Sequence, residues 1–270
     1  MATGAGRGPS GERVWFLADA HLEPSRGRPG AGPEAQDAAR QRDLLELLAS
    51  LTDQASHLYL VGDIFDFWFE YVSGPTRGHE ATVRALRTLS DRGVSVHFLG
   101  GNHDYWAGRV FEHLSGARVH RVPLDTTHCG RRLFIAHGDG LPEGDLRYKA
   151  LKALIRSAPA IAAFRLLPPT LGASIGRWAS GLSEITDERI ERAMRPMRDF
   201  LLEMVRGPYD AAIVGHVHRP AHWRTPDGDA LIVGDWQDNR SALLLDGDGF
   251  HHFVWRVGAL HPQSVETSNG

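Results

Sequence analysis

The stretch Val14-Trp15-Phe16-Leu17-Ala18-Asp19-Ala20-His21 decides how this chain folds. Its first four residues are apolar or aromatic without interruption, which is typical of a strand buried on both faces, and polar side chains follow directly. Four later stretches repeat this order of apolar run and polar cluster. Their clusters are Gly62-Asp63-Ile64-Phe65-Asp66, Gly101-Asn102-His103-Asp104, His137-Gly138-Asp139 and Gly215-His216-Val217-His218. The repetition predicts five strand ends that bring carboxylate, imidazole and amide groups to one edge of a sheet.

Helical patterns separate the first three of these strands. Leucines recur at helical spacing within 36–51, and apolar residues within 77–92 repeat that spacing. The first 100 residues therefore predict the order β-α-β-α-β and a largely parallel α/β sheet, whose functional edge lies at the carboxyl ends of its strands. After residue 116, short strands joined by turns predict a second sheet. These strands are expected at 117–122, 131–135, 211–214, 231–233, 242–245 and 250–257.

Residues 141–206 interrupt the strand pattern and predict an inserted helical cap. This segment has almost no strand signal, and prolines or glycine break it at Pro159, Pro168-Pro169 and Gly181. Strands resume after it, so we expect one domain over 13–258 that carries the cap, not two separate domains. The Gly-rich start, 1–12, predicts a disordered tail, and 259–270 predicts a C-terminal tail.

Composition limits the classes of function. The chain has 270 residues, of which 42% are hydrophobic and 23% charged, as in an ordinary globular protein. A net charge of −3 argues against nucleic acid as a partner. The single cysteine allows no internal disulfide, and no Cys/His zinc pattern is present. No apolar run approaches the roughly 20 residues of a membrane span, and no signal peptide is recognisable, so we expect a cytoplasmic protein.

The polar clusters contain the residue types of a metal site. Asp19 and His21, two apart at a strand end, point to the same side and can hold one ion. Asp63 has two carboxylate oxygens and can bridge two cations, although an aspartate after a strand is also a common helix N-cap. Asn102 offers an amide oxygen, with a tight turn as the alternative. The other candidates are His137, His216 and His218. Taken together, these ligands exceed what one ion needs and predict two.

The motifs D-x-H, GDxxD, GNH[DE], a histidine after a strand and GHxH make the sequence resemble the calcineurin-like metallophosphoesterases. The resemblance implies an αββα sandwich of two mixed sheets and hydrolysis of a phosphate ester or anhydride by water activated between two divalent ions. Manganese is the expected metal, and zinc or iron is the alternative. It further implies that one ion is held by Asp19, His21 and His218 and the other by Asn102, His137 and His216, with Asp63 between them. His103, oriented by Asp66, is the expected general acid.

The first part of the predicted cap combines positive charge with an apolar stripe. Six cations and one acid lie between Asp145 and Ser180. Apolar residues such as Leu154, Ile155, Ile161 and Phe164 recur at helical spacing beside them. This combination favours a lipid that carries phosphate, or a membrane surface. An ordinary helix with a solvated basic face is the alternative.

Three further features are Phe67-Trp68 after the GDxxD motif, an insertion with Asp145 and Tyr148 after His137-Gly138-Asp139, and Arg219-Pro220 after the GHxH motif. With them the sequence most resembles, within the superfamily, the UDP-2,3-diacylglucosamine hydrolases of bacterial lipid A synthesis, which are peripheral membrane pyrophosphatases. The likeness implies a lipid-linked nucleotide substrate, release of UMP, and peripheral contact with the inner membrane on its cytoplasmic face. The cap residues expected to bind substrate are Asp145, Tyr148, Lys149, Lys152 and Arg156. One position departs from that family, which typically has Arg where this chain has His103. A soluble phosphodiesterase acting on nucleotides, or a scaffold without activity, remains the alternative.

Overall fold

The computed structural model describes residues 11–24, 33–141, 153–172, 175 and 187–265. Its elements, in chain order, are β1 (Val14–Leu17), α1 (Pro33–Leu51), β2 (His57–Leu60), β3 (Glu70–Tyr71), β4 (Gly74–Pro75), α2 (Glu80–Asp91), β5 (Ser95–Leu99), α3 (Arg109–Ser115), β6 (Arg118–His120), β7 (Leu124–His128), β8 (Arg131–Ala136), α4 (Ala158–Phe164), α5 (Asp187–Arg206), β9 (Ala211–Val214), β10 (Ala221–Thr225), β11 (Gly228–Ile232), β12 (Ser241–Asp246), β13 (Gly249–Arg256) and β14 (Ala259–Pro262).

Two mixed sheets form the centre of the molecule. The first has the order β14-β13-β12-β1-β2-β5-β6, and the second has the order β10-β11-β9-β8-β7. β1, β2, β5 and β6 pair in parallel, as the β-α-β-α-β pattern predicts. β8, β9 and β11 are likewise parallel. Because parallel strands end at the same edge, the polar clusters that follow β1, β2, β5, β8 and β9 are gathered at the carboxyl ends of both sheets.

The strands are buried on both faces, and the helices and sheets form four layers, with helices outside each of the two sheets. Trp15 and Leu17 of β1 pack in the core beneath α1, α2 and α3, while Val14 and Phe16 pack in the core between the two sheets. A third core lies under α5, where Met197 and other apolar side chains of the helix cover the outer face of β8, β9 and β11. The chain is therefore an αββα sandwich, and the predicted fold class is confirmed.

The structure corrects where some predicted elements belong. β6, β12 and β13 lie in the first sheet and not in the second, because β12 pairs antiparallel with β1 and β6 pairs with β5. α5 falls within the predicted cap 141–206, but it is a layer of the sandwich, since its apolar side is buried against the second sheet. The predicted C-terminal tail starts too early, because β14 extends the first sheet beyond β13.

The described part of the cap before α5 rests on the hairpin β3-β4. Its short helix α4 begins after the N-cap Ser157, whose hydroxyl accepts a hydrogen bond from Ala160 N–H. Pro159 therefore lies in the first turn of α4, where its missing N–H costs nothing, and the helical residues before it end at 155, close to the predicted break. Phe164 contacts Phe69 with ring centroids 4.7 Å apart. These contacts place the cap next to the carboxyl ends of the strands.

Candidate metal centre

Five of the seven candidate metal ligands have a left-handed backbone. They are Asp19 (φ 51°), His21 (φ 42°), Asp63 (φ 52°), His216 (φ 67°) and His218 (φ 59°). Non-glycine residues adopt this region at a cost and persist there when the surrounding structure compensates. The compensation here includes backbone hydrogen bonds between neighbouring strand ends, such as Asp19 N–H to Gly62 O at 3.0 Å. The chain thus turns sharply where each strand ends, and the turn aims the side chain into the centre.

Two glycines allow these turns to approach one another. Gly62 has a φ of 90°, and a Cβ placed on it would lie 2.3 Å from His137 Nδ1. A Cβ on Gly101 would lie 2.1 Å from Asp63 Oδ1. Both distances are shorter than any van der Waals contact, so a side chain at either position would displace a candidate ligand. The close packing explains why glycine precedes both Asp63 and Asn102.

One group of ligand atoms comprises Asp19, His21 and His218. Asp19 is fully buried, and its Oδ1 lies 3.5 Å from His218 Nε2 and 4.0 Å from His21 Nε2. The two imidazole Nε2 atoms lie 3.3 Å apart. The other Asp19 oxygen, Oδ2, accepts a hydrogen bond of 2.7 Å from His216 N–H, which fixes the carboxylate. Three ligand atoms therefore converge from strand ends in both sheets.

The second group comprises Asp63, His137 and His216, with Asn102 beside it. His137 Nε2 lies 3.2 Å from Asp63 Oδ2 and 3.3 Å from Asn102 Oδ1. His137 Nδ1 is held by Val61 O at 2.9 Å, and this contact sets the orientation of the ring so that Nε2 points into the centre. In each of the two groups the ligand atoms lie within 4.8 Å of one another. The structure thus brings together all seven residues that the motifs singled out.

His103 lies against these groups. Its ring meets that of His21 edge-on, with centroids 4.7 Å apart. Its backbone N–H donates to Asp63 Oδ1 at 2.8 Å, and its Nδ1 lies 2.9 Å from Asp66 O and 3.5 Å from Asp66 Oδ1. Asp66 therefore orients this imidazole through its backbone carbonyl as well as through its carboxylate.

Burial and neighbouring charges shift the pKa values of several side chains in the centre. Burial opposes charge on His103, but the carboxylates of Asp63 and Asp66 outweigh it and raise the pKa of His103 to about 9. Burial likewise opposes ionisation of Asp63, yet the nearby cationic imidazoles hold its pKa well below the usual range. For His216, burial lowers the pKa to about 4, and the neighbouring His137 adds to the effect. A neutral His216 keeps a lone pair for a metal.

A cavity of about 160 Å³ opens beside the centre and includes His137 and Asp139 in its wall. Arg156 is the predicted substrate residue that the structure describes, and it lines this cavity. It donates to Gly101 O at 2.9 Å and to Asp139 Oδ2 at 3.0 Å, and its guanidinium lies 3.9 Å from the centroid of the Tyr105 ring. The other predicted substrate residues, Asp145, Tyr148, Lys149 and Lys152, lie outside the described residues.

Comparison with known proteins identifies the family. The profile described as calcineurin-like phosphoesterase matches residues 12–220, most of the chain. The chain belongs to the calcineurin-like metallophosphoesterases. Members of this family are dinuclear metal hydrolases, so the chain is an enzyme of that class.

Among curated relatives, this metallophosphoesterase is 30% identical to a UDP-2,3-diacylglucosamine hydrolase of Stutzerimonas stutzeri over 88% of this chain and 97% of the relative. It is 29% identical to the protein of the same description from Nitrosococcus oceani, with 90% and 95% covered. Solved structures with a similar fold include Vacuolar Protein Sorting 29 from Cryptosporidium parvum, at 13% identity, 93% and 95% coverage and a TM-score of 0.42. A novel archaeal phosphodiesterase matches at 12% identity, 90% and 99% coverage and a TM-score of 0.43.

The residues of this metallophosphoesterase fit two divalent cations. Asp19 Oδ1 is buried and has no hydrogen-bond partner among the described residues, although a buried carboxylate oxygen without a partner is costly. It faces two imidazole nitrogens, which are ordinary metal ligands. Carboxylate and imidazole together suit manganese, iron or zinc. A cation in this group would satisfy the orphaned oxygen.

The motifs did not assign a role to Asp104, and the structure does. This fully buried carboxylate accepts hydrogen bonds from the N–H groups of Asp63, Ile64, Phe65 and Gly101 at 2.8–3.2 Å. Burial and the charge of Asp63 raise the pKa of Asp104 to about 7, against these N–H donors, which favour the charged form. Asp104 thus ties the turn after β2 to the turn after β5. The sequence feature that pointed to Asp104 is its place as the last residue of the motif Gly101-Asn102-His103-Asp104.

We expect Asp104→Ala to lower the free energy of unfolding by about 4 kcal/mol or more, because it leaves four buried N–H groups without an acceptor, each costing roughly 1–3 kcal/mol. Denaturant unfolding measures the loss. The exposed carboxylate Asp125 provides a control, and Asp125→Ala should leave the stability close to that of the wild type. Equal losses for the two variants would contradict the assigned role.

Proposed function

We propose that this enzyme hydrolyses the pyrophosphate bond of a lipid-linked nucleoside diphosphate sugar of the UDP-2,3-diacylglucosamine type, giving UMP and a lipid sugar 1-phosphate. The observation that carries the proposal is the likeness to hydrolases of that description over nearly the full length of both chains. The cavity lined by Arg156 beside the candidate centre and the apolar surface of the cap support the substrate class.

In this proposal Asp19, His21 and His218 hold one cation, and Asn102, His137 and His216 hold the other. Asp63 would be shared between them, because its Oδ2 lies 3.2 Å from His137 Nε2 of the second group while its charge also acts on His21 of the first. Manganese is the proposed metal, since a mixed carboxylate, amide and imidazole set accepts it. The ions when bound polarise the phosphoryl group and activate water.

His103 is the proposed general acid for the leaving phosphate. The carboxylates of Asp63 and Asp66 favour the protonated imidazole, in which Nδ1 is held by Asp66 and Nε2 carries the proton to be donated. The proton moves from His103 to the leaving oxygen as the bond to phosphorus breaks. Asp66 keeps the ring in the orientation that this transfer needs.

Two arginines and one tyrosine in the cavity wall suit the binding of a phosphate group and of a planar ring. The centroid of the Tyr105 ring lies 3.9 Å from the guanidinium carbon of Arg156 and 5.4 Å from that of Arg121. Guanidinium groups bind phosphate oxygens in pairs and stack on planar rings, so this arrangement suits the nucleotide part of the substrate. Arg156 would then bridge the cap and the strand ends around bound substrate.

The cap also presents apolar side chains to solvent. Leu154 is 65% and Leu166 is 77% exposed, and Leu171 and Ile175 are also exposed. These four exposed apolar side chains, all within 154–175, are available for contact with a lipid chain or a membrane. We assign this surface to acyl chains and to peripheral contact with the cytoplasmic face of the membrane. No helix among the described residues is long and apolar enough to span a bilayer.

A hydrolysis panel tests the substrate. With manganese present, we expect the enzyme to release UMP from a diacylated UDP-glucosamine much faster than from the deacylated form. Equal rates on the two would contradict acyl recognition. Faster turnover of small water-soluble phosphodiesters than of the diacylated compound would favour the soluble phosphodiesterase instead.

We expect Arg156→Ala to lower kcat/KM for the diacylated substrate by about 10- to 100-fold, because hydrogen bonds to charged groups contribute about 1.5–3 kcal/mol. Steady-state kinetics measure the effect. Arg165 is exposed in the same cap and is the matched control, so Arg165→Ala should leave kcat/KM close to that of the wild type. A similar loss in both variants would show that general positive charge, and not the position of Arg156, matters.

A further inference from the structure

A second cluster of histidine and carboxylate lies away from the metal centre. It consists of Glu12, just before β1, His57, the first residue of β2, and His128, the last residue of β7. β2 starts at His57 and leads toward Asp63, so the cluster lies at the opposite end of this strand from the candidate metal centre. Glu12 was expected to belong to a disordered tail. The structure instead anchors it between the two sheets.

The contacts of Glu12 hold the cluster together. Its Oε1 lies 2.7 Å from His128 Nδ1 and 3.6 Å from His57 Nε2. Its Oε2 accepts a hydrogen bond of 2.7 Å from Cys129 N–H. One carboxylate oxygen thus faces two imidazole nitrogens, while the other is fixed to the backbone of the turn after β7.

The three ligand atoms are close enough to share a small cation, which would replace the proton of the 2.7 Å hydrogen bond between His128 Nδ1 and Glu12 Oε1. The ligand atoms of Glu12, His57 and His128 lie within 4.8 Å of one another. The separation of 3.6 Å between Glu12 Oε1 and His57 Nε2 is too long for a hydrogen bond. It is close to the ~3.3 Å expected between ligand atoms that share a tetrahedral zinc ion at ~2.0–2.1 Å. His57 Nδ1 is buried without a partner, so Nε2 is the ring atom through which this imidazole makes polar contacts.

The surroundings suit such a site. With a cation bound at Nδ1, His128 would keep its proton on Nε2 and donate a hydrogen bond to the hydroxyl of Tyr59, 2.7 Å away. A hydrogen bond on the outer nitrogen is the usual support for a metal-ligating histidine. The His57 and Glu12 side chains are 26% and 27% exposed. That exposure leaves a route for an ion from solvent and room for a water as the fourth ligand.

We propose that Glu12, His57 and His128 form a third metal site, which binds one zinc ion through two imidazoles and one carboxylate. This site is separate from the proposed catalytic pair. Glu12 adjoins the first sheet and His128 belongs to the second, so the ion links the two sheets at the edge remote from the substrate.

Zinc content tests the site. The purified chain and its variants are stripped with a chelator, dialysed against zinc chloride and then against buffer, and analysed for metal per chain by mass spectrometry. We expect His57→Gln and Glu12→Gln to retain one zinc fewer than the wild type. His97→Gln is the matched control, because His97 stacks on Tyr59 in the same row of side chains but does not contribute to the cluster. It should retain the wild-type content.

Three results would overturn the proposal. The wild type retains no zinc beyond the catalytic pair; His57→Gln or Glu12→Gln retains as much as the wild type; or His97→Gln loses as much as His57→Gln, which would indicate unspecific binding by surface histidines. Circular dichroism establishes that each variant is folded, and the wild-type measurement decides the question if both cluster variants fail to fold. The catalytic ligands are intact in every variant, so failure of this proposal is distinguishable from failure of the proposed function.

Discussion

We expect Asp63→Asn to lower kcat/KM by at least about 10³-fold. The variant retains the shape of the side chain but removes the charge that the proposal places between the two cations. Metal ions stabilise the transition state by several kcal/mol, and each 1.36 kcal/mol is about a factor of ten in rate. The Asp63 side chain is 2% exposed and contacts His137 and the backbone N–H of His103. Because it is buried, an anion from solvent cannot take the place of the lost carboxylate charge. We expect the variant to lose bound metal as well as activity. Steady-state hydrolysis measures the loss of kcat/KM, and metal analysis measures the loss of bound metal.

The exposed carboxylate Asp91 on α2 provides the control for this substitution. Asp91→Asn removes only a surface ion pair with Arg87 and should leave both rate and metal content unchanged. If Asp63→Asn kept its activity, the shared-carboxylate arrangement would be wrong. If the wild type showed no activity to lose on any phosphoester, the alternative of a scaffold without activity would gain support.

We expect His103→Ala to lower kcat by about 10²- to 10⁴-fold while metal content stays at the wild-type value. In the proposed mechanism His103 donates a proton to the leaving oxygen, and the substitution leaves all seven of the proposed metal ligands intact. Comparison of kcat with metal content separates this effect from that of Asp63→Asn, which should lose both. His113 is exposed at the end of α3, and His113→Ala should leave kcat unchanged.

The pH dependence provides a further readout of the same variant. Without cations in the centre, burial lowers the pKa of His103 but Asp63 and Asp66 outweigh it and raise this pKa to about 9, which favours the acid form. The rate should therefore fall as the pH rises through the pKa of His103. His103→Ala should lack that alkaline decrease. A variant with near wild-type kcat and an unchanged pH profile would remove His103 from the mechanism.

The sequence alone predicts most residues of the candidate metal centre. Each motif lies directly after an apolar run, and a parallel arrangement sends the ends of such runs to one edge. Asp19 and His218 are 199 residues apart, yet their grouping follows once the family pattern is recognised. The left-handed φ of both residues does not follow, because it depends on hydrogen bonds between turns that are adjacent only after folding.

The hydrophobic periodicity of the sequence does not predict some of the contacts between elements, because these depend on tertiary packing. β12 returns to pair with β1, although its local pattern fits either sheet. α5 has a strongly amphipathic sequence that is compatible with a cap or with a layer of the sandwich, and burial against the second sheet decides between them. Glu12 lies in a Gly-rich start without any pattern, and its role is visible only through His57 and His128.

The sequence by itself determined the α/β class, the order of the strands that carry polar clusters, and the identity of the seven candidate ligands. It did so because buried strands and metal ligands impose local residue types at regular places. Tertiary structure alone decided which strands share a sheet, how Asp104 joins two turns, and that Arg156 reaches the strand ends from the cap. These features arise from contacts between residues distant in the chain, for which no local residue preference exists.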